Sequence, residues 1–371
     1  MLGPAITAVI DTYNHERVIE QAIVSVLEQN IPVCDMQVIV VDDGSTDRTP
    51  DIVRKFEPRV RLIRKPNGGQ GSAFNAAIAE AEGEIVAFLD GDDWWTKGKV
   101  TAVIDAFSKN PGIAAVGHGY FEVEGNSPTG EMIVPQRPIF VDLSSAEVAR
   151  IADPARMLLG TSRLAVRRRI LQRIGPISNE LIFCADTPIF ILSLAMGGAL
   201  ILDQPLCYYR LHSPAATGDE NAAQRLSAQE YNRMVVKQRD VETIRYLLTT
   251  LPPRLAELGI APEIISALFE SDRIELERID LQSSEGGRWR TFKAEARAFR
   301  STYKDASAGY KLFRGILGAL ALLLGPQSFY QLRHWYSKRP GIHRVRSVFG
   351  QAEPIVPQSL FQRKSVGTSE K

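Results

Sequence analysis

The chain has few cysteines and no excess of either charge, and these two absences exclude several classes of protein. Its three cysteines are too few and too irregularly spaced for a disulfide framework or a thiolate metal site, so we expect reduced thiols that serve packing at Cys34, Cys184 and Cys207. Lys and Arg total 44 against 43 Asp and Glu, a formal net charge of +1. No overall field attracts nucleic acid, and we expect no nucleic-acid partner.

Targeting and membrane-spanning patterns are also missing. The first four residues carry no basic stretch ahead of an apolar run, and the apolar residues 6–10 are too few for the core of a signal peptide. We therefore expect a cytoplasmic catalytic domain. The most apolar stretch, residues 312–330, contains Arg314 and Pro326, which make it a poor membrane span.

Two common nucleotide-binding loops are absent as well. Neither the three-glycine pattern of dinucleotide-binding folds after the first strand nor the glycine-lysine P-loop occurs, so dehydrogenase and P-loop functions are excluded. What remains is a chain of 371 residues, 44% hydrophobic and 23% charged, which can bury a sizeable core and form two domains.

The first third of the chain alternates short apolar runs with segments of helical periodicity. Such alternation is typical of a sheet with helices packed over it, the α/β class. The pattern predicts strands at residues 6–10, 37–41, 60–63, 84–89 and 113–120, and helices at 16–29, from 49 and at 72–81. Residues 127–138 have the composition of a polar, proline-bearing loop, and the chain becomes mostly helical from about residue 218.

Polar or acidic clusters follow three of the predicted strands, at residues 12–14 (TYN), 42–45 (DDGS) and 90–93 (DGDD). Ligands bind at the carboxyl ends of strands in open α/β sheets, so we expect these clusters to converge. Taken alone, an acidic turn such as Asp42-Asp43 is as easily a helix cap. The repetition of the pattern favours a binding cleft.

Asp90 and Asp92 are separated by one residue on a predicted turn. Two carboxylates so placed can approach one Mn²⁺ or Mg²⁺ ion, and a substrate diphosphate would complete the coordination shell. A cation there neutralises charge on a departing nucleoside diphosphate. The acidic turn therefore favours metal-assisted cleavage of a sugar–phosphate bond.

These clusters, in this order, resemble those of family 2 glycosyltransferases of the GT-A fold, over residues 6–212. The matching segments are residues 12–14, 41–47 (VDDGSTD), 67–75 (NGGQGSAFN), 81–84 (AEGE) and 89–93 (LDGDD). The resemblance implies a GT-A catalytic domain at residues 1–215, with a Rossmann-like mixed sheet flanked by helices, and a mainly helical region at 216–371. It also implies inverting transfer from a nucleotide sugar.

The resemblance assigns the donor site residue by residue. Tyr13, beside Thr12, would lie against the nucleobase, and Asp43 would accept a hydrogen bond from it. Asp90 and Gly91 would border the ribose and diphosphate. An aromatic face suits stacking, and a carboxylate pairs with the imide N–H that uracil has and cytosine lacks, which favours a UDP-linked donor.

By the same resemblance the glycine-rich run at residues 67–75 shapes the donor pocket, through Asn67, Gly69 and Asn75. Glycine lets main-chain N–H groups approach ligand oxygens closely. The run is also compatible with a simple glycine-rich turn that leads into a helix.

Asp92 is the principal metal ligand that the resemblance implies. Residues 206–212 (LCYYRLH) resemble the closing strand of the family, whose final histidine, here His212, approaches the metal or the diphosphate. A neutral imidazole beside a carboxylate-held cation is reasonable chemistry, and Mn²⁺ tolerates nitrogen better than Mg²⁺ does. Arg210 either pairs with phosphate or braces the loop.

Inverting transfer needs a carboxylate that takes the proton from the acceptor hydroxyl. The family carries this carboxylate in a Glu-Asp pair, and here the pair is Ala185-Asp186, so the Asp is present and the Glu is not. We expect Asp186 to be the catalytic base. The alternative is that Asp186 caps the helix that begins near Thr187 and Pro188.

The carboxy-terminal region is basic and aromatic. No acidic residue occurs between Asp305 and Glu353, and the lysines and arginines of that stretch are Lys311, Arg314, Arg333, Lys338, Arg339, Arg344 and Arg346. Cations with interfacial aromatics suit an anionic membrane surface, so we expect peripheral contact at the inner face of the cell membrane. A helical pair with a solvated charged face is the alternative.

Together these features predict an inverting glycosyltransferase that acts on a glycan, lipid-linked or protein acceptor in glycan, polysaccharide or glycoconjugate biosynthesis. A sugar nucleotidyltransferase is one rival, although it would usually carry a glycine-rich, basic loop where this chain has residues 12–16 (TYNHE). The other rival is a non-catalytic nucleotide-sugar-binding protein of a polysaccharide assembly, because Ala185 replaces the usual Glu.

Overall fold

The computed structural model describes residues 4–32, 35–182, 184–211, 228–283, 287–302, 315–316, 319–324, 326, 328–330 and 361–365. Cys34 and the predicted metal ligand His212 lie outside these residues. Nearly all of the chain after Tyr330 lies outside them too.

Strands form the centre of the fold, and the apolar runs that predict them are buried. Along β2, for example, Val38 is 4% exposed and Val41 is fully buried, as expected for a strand covered on both faces. The strands of the described residues are β1 (Ile6–Thr12), β2 (Met36–Asp42), β3 (Arg61–Arg64), β4 (Ile85–Asp90), β5 (Trp94–Trp95), β6 (Ala115–Glu124), β7 (Ser127–Pro135), β8 (Ile139–Val141), β9 (Ala165–Arg167), β10 (Ala199–Arg210) and β11 (Phe361–Ser365).

Helices cover the sheet and continue beyond it. The apolar residues of α1 recur at helical spacing, so that Ile19, Ile23 and Val26 are buried on one face. The helices are α1 (Ile19–Leu27), α2 (Thr49–Arg54), α3 (Gly69–Glu80), α4 (Lys99–Lys109), α5 (Ala146–Ala155), α6 (Arg168–Ile174), α7 (Asp186–Gly197), α8 (Ala228–Glu257), α9 (Pro262–Leu268), α10 (Glu270–Ser283) and α11 (Arg288–Thr302). Short 3-10 turns span Arg156–Leu158 and Thr161–Arg163.

The sheet is mixed. Its main path runs β11-β7-β6-β9-β4-β1-β2-β3, and β10 pairs with β5, β6 and β8. β4, β1, β2 and β3 are parallel to one another, whereas β9 is antiparallel to both β4 and β6. The predicted α/β class, a mixed sheet with flanking helices and a helical carboxy-terminal part, is confirmed.

The predicted loop at residues 127–138 is wrong in its first part. Residues Ser127–Pro135 form β7, which pairs antiparallel with β6, and the partners Val123↔Pro128 and Glu124↔Ser127 close a hairpin. Gly125 and Asn126 are its two-residue loop, a common hairpin composition. The polar and proline-rich composition hid the strand because its pairing, and not its own sequence pattern, stabilises it.

The first helices of the carboxy-terminal region share the core of the sheet domain. Leu251 and Leu255 of α8 and Phe269, which follows α9, are fully buried in the same apolar cluster as the strands. Arg156 donates two hydrogen bonds to the carboxylate of Asp272 in α10, at 2.9 and 2.7 Å. A domain boundary at residues 215/216 stays a prediction, and the helices just beyond it are packed against the catalytic half.

The end of the described chain has a small apolar cluster of its own. Ala321 is fully buried and Phe329 is 1% exposed, packed with residues of α10 and α11. Ile316 and Leu323 of the same apolar stretch are 55% and 71% exposed. In the described part of the chain, no helix combines the length and hydropathy that a membrane crossing requires.

Gly83, just before β4, is packed directly against the main chain of β1. A Cβ atom there would lie 2.4 Å from the nitrogen of Thr7 and 2.5 Å from the carbonyl carbon of Ile6. We predict that Gly83→Ala lowers the free energy of unfolding by about 2 kcal/mol or more, because backbone must move to admit the methyl group. The measurement is urea unfolding followed by tryptophan fluorescence.

Gly112→Ala is the matched control, since a Cβ atom there has nothing within 4 Å. Equal stability of the two variants would contradict the close packing of Gly83 on β1.

Candidate active site

Three strand ends meet at one edge of the sheet. β1 pairs in parallel with β4 so that Asp11 is the partner of Asp90, and with β2 so that Thr12 is the partner of Asp42. The main-chain N–H of Asp43 donates to the carbonyl of Thr12 at 2.9 Å. The polar clusters that follow these strands therefore converge, as the sequence predicts.

Asp11, Asp90, Asp92 and Asp93 lie where β1 and β4 end, and they are called the acidic group below. Burial raises the pKa of Asp11 to about 8, and the nearby charge of Asp92 adds to the effect. Burial likewise raises the pKa of Asp93 to about 7, again with a contribution from Asp92. The pKa of Asp90 lies well above its usual value because of burial and the charge of Asp11. Ionisation of all these carboxylates together is therefore unfavourable without a nearby positive charge.

Within the part of the chain that the structure describes, two carboxylate oxygens of this acidic group are left without a hydrogen bond. Among the described residues, Oδ1 of Asp11 and Oδ2 of Asp93 are buried and have no hydrogen-bond partner. The described residues contain no group of three or more His, Cys, Asp or Glu side chains arranged to hold a metal ion. This donor set fits a hard cation that takes one or two carboxylates and completes its shell with substrate phosphates.

Asp43 is buried and is tied to the glycine-rich run. Its carboxylate accepts hydrogen bonds from the main-chain N–H groups of Gly68 at 3.0 Å and Gly69 at 2.8 Å, and from the ammonium of Lys65. Tyr13 is 45% exposed, which leaves its ring accessible. The contacts of these two residues with a nucleobase stay predictions.

The Asp90–Asp93 turn passes close to the end of β1 at Gly91. A Cβ atom on Gly91 would lie 2.9 Å from Oγ1 of Thr12 and 2.8 Å from Nδ1 of His15. Those two atoms also lie 3.1 Å from each other. Glycine is therefore required where the acidic turn approaches β1.

The predicted pocket residues of the glycine-rich run differ in their surroundings. Asn67 is exposed, and Gly69 is buried as the first residue of α3. Asn75 clamps another segment, because its amide group donates to the carbonyl of Ile177 and accepts from its N–H, both at 2.8 Å. In this structure Asn75 thus fixes a neighbouring loop, and its part in shaping the donor pocket stays a prediction.

Asp186 is the first residue of α7. Its Oδ2 accepts hydrogen bonds from the main-chain N–H of Thr161 at 2.7 Å and from the Thr161 hydroxyl at 3.1 Å. Its charge contributes to the raised pKa of both Asp11 and Asp90, which places it near the acidic group. The preceding residue, Ala185, is fully buried. These partners hold Asp186 against the Thr161–Arg163 turn.

Arg210 braces the acidic turn, the second of the two roles considered for it. Its Nε donates to the carbonyl of Asp92 at 2.7 Å, its main-chain N–H to Oδ1 of Asp93 at 2.8 Å, and Nη2 to Gln21 at 2.9 Å. Nη1 donates to Oδ1 of Asn126 at 3.0 Å and to the carbonyl oxygen of Gly125. Phosphate binding by Arg210 stays a prediction that would need these bonds to rearrange.

Three residues that contact the site are not among those predicted from the sequence. Gln70 donates to Oδ1 of Asp90 at 3.0 Å, and the Ser162 hydroxyl donates to Oδ2 of the same residue at 3.2 Å. Thr161 holds Asp186, as described above. Gln70 lies inside the recognised run at residues 67–75, so a signal for it exists, whereas nothing in the local sequence marks Thr161 or Ser162.

A buried lysine is hydrogen-bonded to the Thr161–Arg163 turn. Lys99 is fully buried, and its ammonium group donates to the carbonyl of Ser162 at 2.7 Å and lies 4.0 Å from the ring centre of Trp95. Burial lowers the pKa of Lys99 to about 7. The side chain thus fixes the Thr161–Arg163 turn relative to β5.

Comparison with known proteins relates this site to a family of sugar transferases. The profile described as Glycosyl transferase family 2 matches residues 7–173. An uncharacterized glycosyltransferase of Nostoc sp. is 35% identical over 231 residues, which cover 61% of this chain and 70% of that protein. The uncharacterized glycosyltransferase EpsJ of Bacillus subtilis is 27% identical over 215 residues, which cover 56% of this chain and 61% of the relative.

A solved structure shares the fold. The mannosyltransferase PcManGT from Pyrobaculum calidifontis, determined in complex with GDP-Man and Mn²⁺, is 18% identical, with a TM-score of 0.52 over 93% of this chain and 87% of that one. At this identity the likeness concerns the fold, which is the GT-A architecture. The profile match and the Nostoc relative show that this chain belongs to glycosyltransferase family 2.

Proposed function

We propose that this glycosyltransferase moves a sugar from a UDP-linked donor to a hydroxyl acceptor, with inversion at the anomeric carbon. The observation that carries the proposal is the acidic group at the ends of β1 and β4, with Asp186 held close to it on the Thr161–Arg163 turn. One part of this arrangement suits a nucleoside diphosphate, and the other suits the removal of a proton from an acceptor.

The donor's nucleotide would lie between Tyr13 and Asp43. The exposed ring of Tyr13 offers a stacking face. An ionised carboxylate has about four lone-pair sites, so Asp43 can accept a hydrogen bond from an imide N–H in addition to its three protein donors. The solved relative was determined with GDP-Man, which supports a nucleotide sugar as the class of donor.

Asp92 is the proposed principal ligand of a divalent cation, Mn²⁺ or Mg²⁺, with Asp90 beside it and His212 as a further candidate. The bracing of the Asp92 carbonyl by Arg210 fixes the turn that carries these carboxylates. When bound, the cation would neutralise charge that accumulates on the leaving diphosphate. The Mn²⁺ present with the solved relative supports this choice of metal.

Asp186 is the proposed base. Its Oδ2 is held by two donors from Thr161, and its Oδ1 accepts a longer hydrogen bond, 3.4 Å, from the hydroxyl of Thr187. Oδ1 is therefore the better placed oxygen to take the proton of an acceptor hydroxyl as that hydroxyl attacks the anomeric carbon. The bonds to Oδ2 keep the carboxylate oriented during the transfer.

We predict that Asp92→Ala removes metal-dependent donor binding. With Mn²⁺ present, a panel of nucleotide sugars read by thermal shift should identify a UDP-sugar that stabilises the parent protein, and the variant should lose at least about tenfold in affinity for it. Asp105→Ala, which changes an exposed aspartate of α4, is the control and should bind as the parent does. Metal-dependent binding that survives in Asp92→Ala would refute the assignment.

Asp186→Asn should separate binding from chemistry. The amide keeps the shape of the side chain but cannot take a proton, so we expect donor affinity within about threefold of the parent and a transfer rate at least about 100-fold lower. Transfer of labelled sugar is the measurement. A variant that transfers at the parent rate would rule out Asp186 as base, and a parent that binds donor without turnover would favour the non-catalytic alternative.

The basic carboxy-terminal region is proposed to contact an anionic membrane. Ile316 and Leu323 expose apolar side chains, and no acidic residue lies between Asp305 and Glu353. Apolar side chains that enter the lipid interface, next to cations that meet anionic headgroups, are the usual elements of peripheral binding. Such contact would bring the enzyme to a lipid-linked acceptor.

Liposome sedimentation of the full chain tests this contact. We predict pelleting with vesicles that contain phosphatidylglycerol, weaker pelleting with phosphatidylcholine alone, and at least about threefold weaker binding of Leu323→Glu to the anionic vesicles. Met157→Glu, a change at a 44% exposed methionine of the catalytic half, is the control. Pelleting that is absent, or that does not depend on the anionic lipid, would remove the proposal of contact with an anionic membrane.

A further inference from the structure

We infer that Gln70 is a positioning residue that holds the acidic turn and the segment carrying Asp186 in one fixed arrangement. This inference rests on the proposed function, because it takes Asp186 as the base. Gln70 lies in the first turn of α3, and its amide group reaches both parts of the site.

The two ends of the Gln70 amide bind different elements. Its Nε2 donates to Oδ1 of Asp90 at 3.0 Å, and further contacts of Nε2 reach Oγ1 of Thr161 at 3.3 Å and Oδ2 of Asp11 at 3.4 Å. Its Oε1 accepts the main-chain N–H of Ala185 at 3.0 Å. One side chain therefore joins the end of β4 to the residue that precedes the proposed base.

The main chain of the same helix start holds the same segment. The N–H of Gln70 donates to the carbonyl of Ile182 at 3.0 Å, and that of Gly71 donates to the carbonyl of Leu181 at 3.1 Å. These are first-turn N–H groups, which lack partners within their own helix. Cys184 has a φ of +56°, in the left-handed region that side chains rarely adopt, so this part of the chain is kept in place by its surroundings.

Thr161 closes the connection into a ring. Its hydroxyl lies within hydrogen-bond reach of Nε2 of Gln70 as acceptor, and it donates to Oδ2 of Asp186. The path from Asp90 through Gln70 and Thr161 to Asp186 therefore consists of hydrogen bonds alone. The path from Gln70 through Ala185 reaches Asp186 along the main chain. A shift of Gln70 must disturb both paths.

Only an uncharged amide suits this place. The donor end faces the carboxylates of Asp90 and Asp11, where the carboxylate of a glutamate would add a like charge. The acceptor end faces the N–H of Ala185, and lysine or arginine has no acceptor to offer it. Glutamine is long enough to supply both groups from α3.

Loss of Gln70 should slow the chemical step more than it weakens donor binding. The base must lie within hydrogen-bond reach of the attacking hydroxyl, and a misplacement of about 1 Å can cost about 100-fold in rate. Loss of Gln70 leaves Tyr13 and Asp43 with their own contacts, so donor affinity should change little. A positioning role thus predicts a fall in kcat with a nearly constant donor KM.

The test compares Gln70→Ala and Gln70→Glu with a matched control, Gln37→Ala. Gln37 is also a bridging glutamine, since its amide accepts from the Thr7 hydroxyl at 2.7 Å and from the N–H of Glu82 at 2.9 Å, but it lies near the start of β2, at the opposite end of the sheet. If kcat fell merely because a glutamine bridge between two segments was lost, it would therefore fall in all three variants.

We expect kcat to fall at least about tenfold in Gln70→Ala and in Gln70→Glu, with donor KM of Gln70→Ala within about threefold of the parent, and kcat to stay within about twofold of the parent in Gln37→Ala. Hydrogen exchange of the peptide that contains residues 181–186 should accelerate in both Gln70 variants and not in Gln37→Ala. Unchanged kcat in Gln70→Ala, or a loss matched by Gln37→Ala, would overturn the inference.

A double variant keeps this inference distinguishable from the proposed function. If Gln70 acts through Asp186, then adding Gln70→Ala to Asp186→Asn should cause at most about a threefold further loss in rate. Full additivity of the two losses would show that Gln70 acts elsewhere. An Asp186→Asn variant with the parent rate would instead refute the base assignment, and the exchange measurement at residues 181–186 would still decide whether Gln70 holds that segment.

Discussion

Asp11 and Asp90 are neighbours in the parallel pairing of β1 and β4, so two half-buried carboxylates lie side by side at the end of these strands. Burying like charges together is costly unless protons, hydrogen bonds or cations offset the repulsion. Gln70 and Ser162 supply hydrogen bonds to Asp90. In the proposed function, a bound divalent cation would offset the remaining repulsion.

The basic side chains around this edge bind the backbone that carries the acids. Arg210 donates to the carbonyl of Asp92, and Lys99 donates to the carbonyl of Ser162. Because these groups are directed at carbonyl oxygens, they fix the two turns that surround the acidic side chains.

The features that could be predicted are those that depend on residues close together in the sequence. β1, β2 and β4 are short apolar runs, Asp90 is the last residue of β4 and Asp92 lies just beyond it, so both the sheet and the acidic turn could be derived from the sequence pattern. The partners of these residues could not. Ser162 is 72 positions away from Asp90, and Gln70 is 115 positions away from Ala185, distances at which single-sequence periodicity carries no information. β7 was missed for the same reason, because its pairing with β6 outweighs its loop-like composition.

Ala185 is the position at which this chain departs from the acidic pair of the family. In the segment where the family has two acidic residues, this chain has one, and the alanine that takes the other place is fully buried with its N–H donated to Gln70. In the proposed mechanism, proton removal falls to a single carboxylate, whose Oδ2 already accepts two hydrogen bonds from Thr161. Because Ala185 replaces the usual Glu, the orientation of Asp186 would then decide whether its remaining oxygen meets the acceptor. The network around Gln70 and Thr161 is thus the part of the structure on which transfer by this chain would most depend.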